Sequence, residues 1–200
     1  MCIRCPWAQD HDLLQHYHDH EWGVPVHDEQ KHFEMLLLET MQAGLSWLVV
    51  LKKRSHFRDC CDQFDPHRIA RYDEQKLREL LDNKLIIRNR RKLSAMVTNA
   101  GKFLEMQREF GSFDRYMWGW TDYQVIDHQL TSQDDMPVTN WLSDKVSRDM
   151  KKRGFSFVGS VTIYAHLQAI GVIQDHLIDC FRYREITSAA GYHQRAADNH

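Results

Sequence analysis

Apolar residues recur at helical spacing along most of the chain, and strict apolar–polar alternation is sustained nowhere. Residues 29–41 predict a helix, with Asp28 as N-cap and Phe33, Leu36, Leu37 and Met41 near one face. Gly44 ends it, and Ser46 is placed to cap a second helix over 47–60. Asp65-Pro66 couples an N-cap to proline at the first helical position. Asp73 opens a further helix whose Leu77, Leu80 and Leu81 are spaced for burial. The longest pattern, 89–110, runs through Leu93, Met96, Val97, Ala100, Phe103 and Leu104 and closes at Gly111. Helices near 141–152 and 160–170 flank a segment from Arg153 to Gly159. Residues 121–140 are polar and read as loop, and the polar, Ala-rich stretch from 184 onward reads as a frayed end. The expected fold class is all-α.

Composition narrows the class. A chain of 200 residues with 42% hydrophobic content fits one domain or two tightly fused lobes with a substantial core. The opening residues show no basic stretch followed by an apolar run. Leu45–Leu51 is far shorter than the ~20 apolar residues of a membrane span. The expectation is a soluble cytoplasmic protein with no membrane partner. Five cysteines, an odd number, favour metal ligation or buried thiols over a disulfide framework, and Cys60-Cys61 reads as buried thiol. The formal net charge is -2. Basic residues nevertheless cluster at Lys52-Lys53-Arg54, at Arg88 with Arg90-Arg91-Lys92, and at Lys151-Lys152-Arg153, which keeps nucleic acid open as a partner.

Two candidate constellations stand out. Cys5 and His18 are spaced C-x12-H near the start, and His176 and Cys180 are spaced H-x3-C near the end. On a helix the second pair shares a face and forms a chelate. Two sulfurs and two imidazole nitrogens suit a closed tetrahedral zinc site, which leaves no position for a catalytic water. Such a site staples the chain ends together and excludes a zinc hydrolase. Cys2, spaced C-x2-C from Cys5, offers a rival chelate in place of His18. The second constellation is the segment from Lys151 to Gly159, where Gly154 and Gly159 bracket apolar residues between two helices. It looks like the hairpin of a helix-hairpin-helix motif near 142–170. Such a turn exposes backbone N–H groups to a DNA phosphate, and Lys152 and Arg153 add charge at the same spot.

The order of short motifs resembles the bacterial DNA-3-methyladenine glycosylase I family to about residue 182. The matching stretches include Cys5 with Trp7, Tyr17-His18-Asp19, Glu21-Trp22-Gly23-Val24-Pro25, Glu39, Gln42-Ala43-Gly44-Leu45-Ser46-Trp47, Lys151 to Gly159, Gln168-Ala169, and Asp175-His176 with Cys180. Leu14 stands where some members carry a second tyrosine, and Leu85 and Arg91 stand where glycines are expected.

The resemblance implies a helix-hairpin-helix glycosylase fold over residues 1–183, with 184–200 as a flexible tail. It implies one structural zinc per chain on Cys5, His18, His176 and Cys180, which favours His18 over Cys2. It implies a monofunctional enzyme, monomeric, that excises alkylated adenine from double-stranded DNA. Glu39 would be the catalytic residue, and Tyr17, Trp47, Trp22 and Trp7 would bind the base. Gln42, Gly44 and Leu45 would enter the gap left by the flipped nucleotide, with Lys152, Arg153, Gly154 and Gly159 on the backbone. An adenine methylated at N3 is cationic, so aromatic faces and a poorly solvated carboxylate suit it. The competing class is a zinc-containing helix-hairpin-helix module that binds DNA and performs no chemistry.

Overall fold

The computed structural model describes residues 3–189 and 194–196. Within them the chain is built around one helix, α2 (Glu29–Gln42), whose residues from His32 to Met41 are all buried. Asp28 caps it, its side chain accepting from the Lys31 backbone N–H at 2.8 Å. A helix buried on every side lies at the centre of its domain rather than on its surface. Four others pack on it: α3 (Trp47–Cys60), α6 (Arg90–Phe110), α7 (Phe113–Gly119) and α9 (Ser160–Ala169). The remaining helices are α1 (Asp12–His20), α4 (Pro66–Ile69), α5 (Glu74–Asp82), α8 (Trp141–Lys152) and α10 (Phe181–Thr187). No described helix is long and apolar enough to cross a membrane.

Local chemistry accounts for most boundaries. Asp65, Asp73 and Asn89 cap α4, α5 and α6 through their side chains. Gly111 closes α6 in the left-handed conformation. Ser46 precedes α3 in extended geometry, but its hydroxyl makes no capping bond, unlike the expected cap. The last carbonyls of α2 are held by a buried lysine. Lys92 Nζ donates to Met41 O at 2.8 Å and to Ala43 O at 2.6 Å, placing positive charge at the helix's negative end.

The fold is mostly helical rather than all-α. A parallel sheet of order β2-β1-β3 joins β1 (Val125–Asp127), β2 (Ile173–Gln174) and β3 (Gln194–Ala196). Its first strand lies inside the stretch expected to be loop. Two β-branched apolar residues, Val125 and Ile126, are buried there, but three residues are too few to show an alternating pattern. The polar end also carries structure: α10 runs to Thr187 and β3 pairs with β1, so backbone pairing organises residues whose composition suggested fraying. His176 and Cys180 are not on a helix. They lie in the bends between β2 and α10, and the Cys180 N–H donates to Leu177 O at 2.8 Å.

Helices α8 and α9 pack on each other across the turn from Arg153 to Gly159. Gly154 sits at φ +93 and so meets the conformational need of the turn, whereas Gly159 has ordinary φ and serves as N-cap of α9; Phe157 is the left-handed residue near its end. The turn is clamped from two sides. Asn99 Nδ2 donates to Ser156 O at 2.9 Å while its Oδ1 accepts from Ser156 N at 2.8 Å. Ser147 Oγ donates to Val158 O at 2.7 Å.

Two left-handed glycines test the packing. A Cβ on Gly171, at φ +74, would lie 2.5 Å from backbone atoms of Val24 and Pro25. A Cβ on Gly44, at φ +76, would meet nothing within 4 Å. Gly44→Ala is expected to cost about 1–2 kcal/mol, the price of the backbone conformation alone. Gly171→Ala should cost more than about 3 kcal/mol, because two backbone segments must part. Urea unfolding of both variants measures the difference, and equal losses would contradict this account.

Candidate functional site

Four donors from the two ends of the chain converge in the interior. One ligand atom each of Cys5, His18, His176 and Cys180 lies within 4.8 Å of all the others, and all four residues are buried. Cys180 Sγ is 3.4 Å from His18 Nε2 and 3.7 Å from His176 Nδ1, and Cys5 Sγ is 3.7 Å from the same His176 nitrogen. The outer ring nitrogens are engaged elsewhere. His18 Nδ1 lies 2.8 Å from the Asp19 carboxylate, which Arg4 also grips at 2.7 Å. His176 Nε2 lies 2.9 Å from Trp22 O. An N–H on each outer nitrogen turns the lone pair of the other inward, which is how ligand imidazoles are oriented. The burial of the four donors makes this a candidate metal centre. Cys2, the rival ligand, lies outside the described residues.

Trp22 joins this cluster to a cavity. Its ring meets His176 edge-on at 4.5 Å and Trp7 edge-on at 5.0 Å. Trp7, Tyr17, Trp22, Glu39, Gln42 and Trp47 line one pocket of about 230 Å³, so every residue expected to touch the base is there. The volume suits one heterocycle, below the ~300–1,000 Å³ of a pocket for larger ligands. The Tyr17 and Trp47 ring centroids are 5.1 Å apart. Four more residues complete the lining: Gln133, Met136, Ala165 and Gln168. Ala165 and Gln168 share a face of α9 at i, i+3 spacing. Gln168 had a signal in the sequence, as a polar residue inside the apolar run of α9. Gln133 had none; its Oε1 accepts from the Trp7 backbone N–H at 2.9 Å and ties the 132–136 turn to the pocket.

The electrostatics of the pocket rest on a contrast within α2. Glu34 and Glu39 are both buried. Glu34 accepts from Arg54 Nε at 2.9 Å and Arg58 Nη2 at 2.6 Å. Glu39 accepts from no described residue, and its Oε2 is enclosed without a partner among them. Burial accordingly pushes the Glu39 carboxyl up to about 8. Burial, with the Glu39 charge nearby, also pushes the Tyr17 phenol up, which keeps it a neutral O–H. The indole N–H groups of Trp7 and Trp47 are likewise buried without acceptors. Buried polar atoms without partners are uncommon in folded proteins, and three of them gather in the walls of one cavity. The pocket therefore offers hydrogen-bonding groups and an unsolvated carboxylate to a flat polar ligand.

The residues expected at DNA lie outside the pocket, except Gln42. Gly44 and Leu45 form an exposed turn between α2 and α3. Lys152 is exposed at the end of α8. Arg153 turns back onto the protein: it pairs with Glu109 at 2.7 Å and Asp149 at 2.6 Å, and it covers the Phe110 ring. Its charge is spent internally rather than held free beside Gly154.

Residues 7–183 match the family described as methyladenine glycosylase. The DNA-3-methyladenine glycosylase 1 of Escherichia coli (strain K12) is 41% identical over 180 residues, 90% of this chain and 96% of the relative. A crystal structure of a 3-methyladenine DNA glycosylase I superposes with a TM-score of 0.87 at 45% identity, covering 90% of this chain and 98% of the other. A second such glycosylase, solved in complex with 3-methyladenine, superposes at 0.86 with 32% identity, covering 89% of this chain and 96% of that one.

The unpartnered carboxyl makes stability depend on pH. Its folded-state value lies above the unfolded one, so its contribution is complete below about pH 4 and is lost as pH rises through about 8. Glu39→Gln removes that loss. The unfolding midpoint of the variant relative to the parent should rise by several degrees between about pH 5 and about pH 9. A pH-independent difference would mean that the carboxyl is solvated or paired in solution.

Proposed function

The chain belongs to the methyladenine glycosylase family, and from that premise we infer what each part of the site does. Its activity is that of a DNA-3-methyladenine glycosylase: it hydrolyses the N-glycosidic bond of 3-methyladenine in alkylated DNA and leaves an abasic site. The observation that carries the assignment of roles is Glu39, a buried carboxylate without a partner in a pocket walled by Tyr17, Trp22 and Trp47.

Chemistry on a base requires the nucleotide to leave the stack, which costs a few kcal/mol. In our reading the Gly44-Leu45 turn fills the vacated gap and Gln42 follows it from the pocket rim. The flipped base enters between aromatic faces, where a cation over a ring gains roughly 0.5–2 kcal/mol. Glu39 accepts from the edge of the base, and the positive charge of the alkylated ring favours the ionised carboxylate that the empty pocket disfavours. As the N-glycosidic bond breaks, the positive charge passes from the base to the sugar. The contact to the base edge serves binding and orientation, and the carboxylate adds to the rate through the cation that develops on the sugar. Water attacks the sugar. No lysine is among the described residues that line the pocket, so in this reading no Schiff base forms there and the enzyme carries out hydrolysis alone. A DNA-binding module without chemistry has no use for a desolvated carboxylate of this kind.

Duplex DNA is bound, in this reading, through the clamped turn between α8 and α9, acting as the hairpin of a helix-hairpin-helix motif. The N–H groups that open α9 after Gly159 have no side-chain cap, which supports a phosphate contact there, with Lys152 adding charge. Arg153 acts as a brace.

The four-donor cluster is read as a structural zinc site. Zn–S near 2.3 Å and Zn–N near 2.0–2.1 Å in a tetrahedron separate sulfur from nitrogen by about 3.5 Å. The observed separations of 3.4 and 3.7 Å fit that spacing. Cys5, His18, His176 and Cys180 would hold the ion; bound there, it cross-links the chain ends and takes no part in bond cleavage.

Metal analysis of purified protein is expected to give one zinc per chain, with Cys180→Ser losing it and unfolding at a clearly lower temperature. Active, undenatured protein without zinc would reject the site. Glu39→Gln should fold normally, retain the metal and bind undamaged DNA as the parent does. Its affinity for free 3-methyladenine and its single-turnover excision should both fall roughly ten- to hundredfold, the worth of one charge-assisted hydrogen bond. Unchanged affinity in calorimetric titration would remove Glu39 from base recognition. Full loss of excision with normal affinity would make it a direct participant in the chemistry.

A further inference from the structure

We infer that Gln168 is a specificity-determining residue, whose side-chain carbonyl oxygen is oriented by Asp175 to select a purine with an amino group at position 6 over one with an oxo group there. The inference rests on the glycosylase reading of the same pocket and adds a second recognition element to Glu39.

Gln168 is buried on α9 and lines the cavity beside Ala165. Its Nε2 donates to Asp175 Oδ2 at 2.6 Å. The Tyr164 hydroxyl donates to the same oxygen at 2.6 Å, and His128 Nδ1 lies 2.6 Å from Oδ1. Asp175 is therefore held from three directions, and it precedes His176 of the four-donor cluster. Were the Gln168 amide turned over, its oxygen would face a carboxylate oxygen at that distance, acceptor against acceptor. The network admits one orientation of the amide. Oε1 accepts no hydrogen bond from any described residue and is the amide atom left for a ligand in the pocket.

Two acceptors thus meet at one cavity, the Glu39 carboxylate from α2 and Gln168 Oε1 from α9. Adenine presents an N6 amino group, a donor with two hydrogens, whereas guanine presents the O6 acceptor. A 6-amino purine can satisfy an acceptor on either side. A 6-oxo purine sets its oxygen against them and leaves buried acceptors unpaired, the situation in which a polar site discriminates most strongly.

The test is single-turnover release of bases from methylated duplex DNA, with 3-methyladenine and 3-methylguanine separated chromatographically. Calorimetric titration of the two free bases accompanies it. Gln168→Met keeps the length of the side chain and removes both polar atoms. It should lower release and binding of 3-methyladenine roughly three- to tenfold while leaving 3-methylguanine unchanged or improved, so that the ratio falls. Asp175→Asn, checked for retained zinc, frees the Gln168 amide to turn and should lower the same ratio. A purely structural role would lower both bases together. Equal losses, or a ratio unchanged in both variants, would overturn the assignment. Wild-type protein that neither bound nor released 3-methyladenine would overturn the underlying glycosylase reading as well.

Discussion

Four residues from opposite ends of the chain, at positions 5, 18, 176 and 180, must meet within 4.8 Å in the interior. Much of the pocket follows from that meeting. Trp7, Tyr17 and Trp22 are near neighbours in sequence of the first pair. Gln168 is held by Asp175, which adjoins the second. Gly23 leaves little room at the junction: a Cβ there would lie 2.9 Å from the His176 ring. One side of the base pocket is thus a by-product of the cluster's geometry, and the other is supplied by α2 and the start of α3. A rigid shell of this kind, built behind the residues that face the ligand, keeps a site within the tolerance that recognition needs.

Charge placement on α2 divides the helix by task. Glu34 is embedded among Arg54, Arg58 and Lys31, so its burial is compensated. Five residues on, Glu39 has no such company, and the helix end beyond it is held instead by Lys92. The protein could pair the carboxylate, as it does one and a half turns earlier, and does not. Local instability is retained where a cationic base is to be received, in keeping with the general trade between stability and a prepared site.

The helical framework was readable because side-chain caps and left-handed glycines are local signals: Asp28, Asp65, Asp73 and Gly111 all act within a turn of themselves. Spacing alone brought out the four cluster residues, with Cys2 as a rival to His18, whereas the six pocket residues named from the sequence became readable only through the order of short motifs, since spacing left Tyr17 and Trp47 as ordinary core. What stayed hidden was non-local. Strand β1 is three residues long and pairs with residues more than forty positions away. His176 and Cys180 carry helical spacing but occupy bends, because their partners at positions 5 and 18 override local preference. Gln133 and Met136 come from a polar stretch without periodicity. Arg153 reads as a free cation in the sequence, and only the fold reveals Glu109 and Asp149 beside it.

The joining of the two ends also has a temporal meaning during synthesis. When residues 5–22 have just been made, the segment that completes their cluster is still more than 150 residues from being made. Helices α2 to α6 can collapse on one another as they appear, yet the indoles of Trp7 and Trp22 have no finished wall to join until residues 168–180 arrive. The nascent chain therefore carries an open half-site until residues 168–180 have been made. A message cut short before Cys180 yields a helical core without a closed pocket, so the cell makes a competent enzyme only from a chain translated through Cys180.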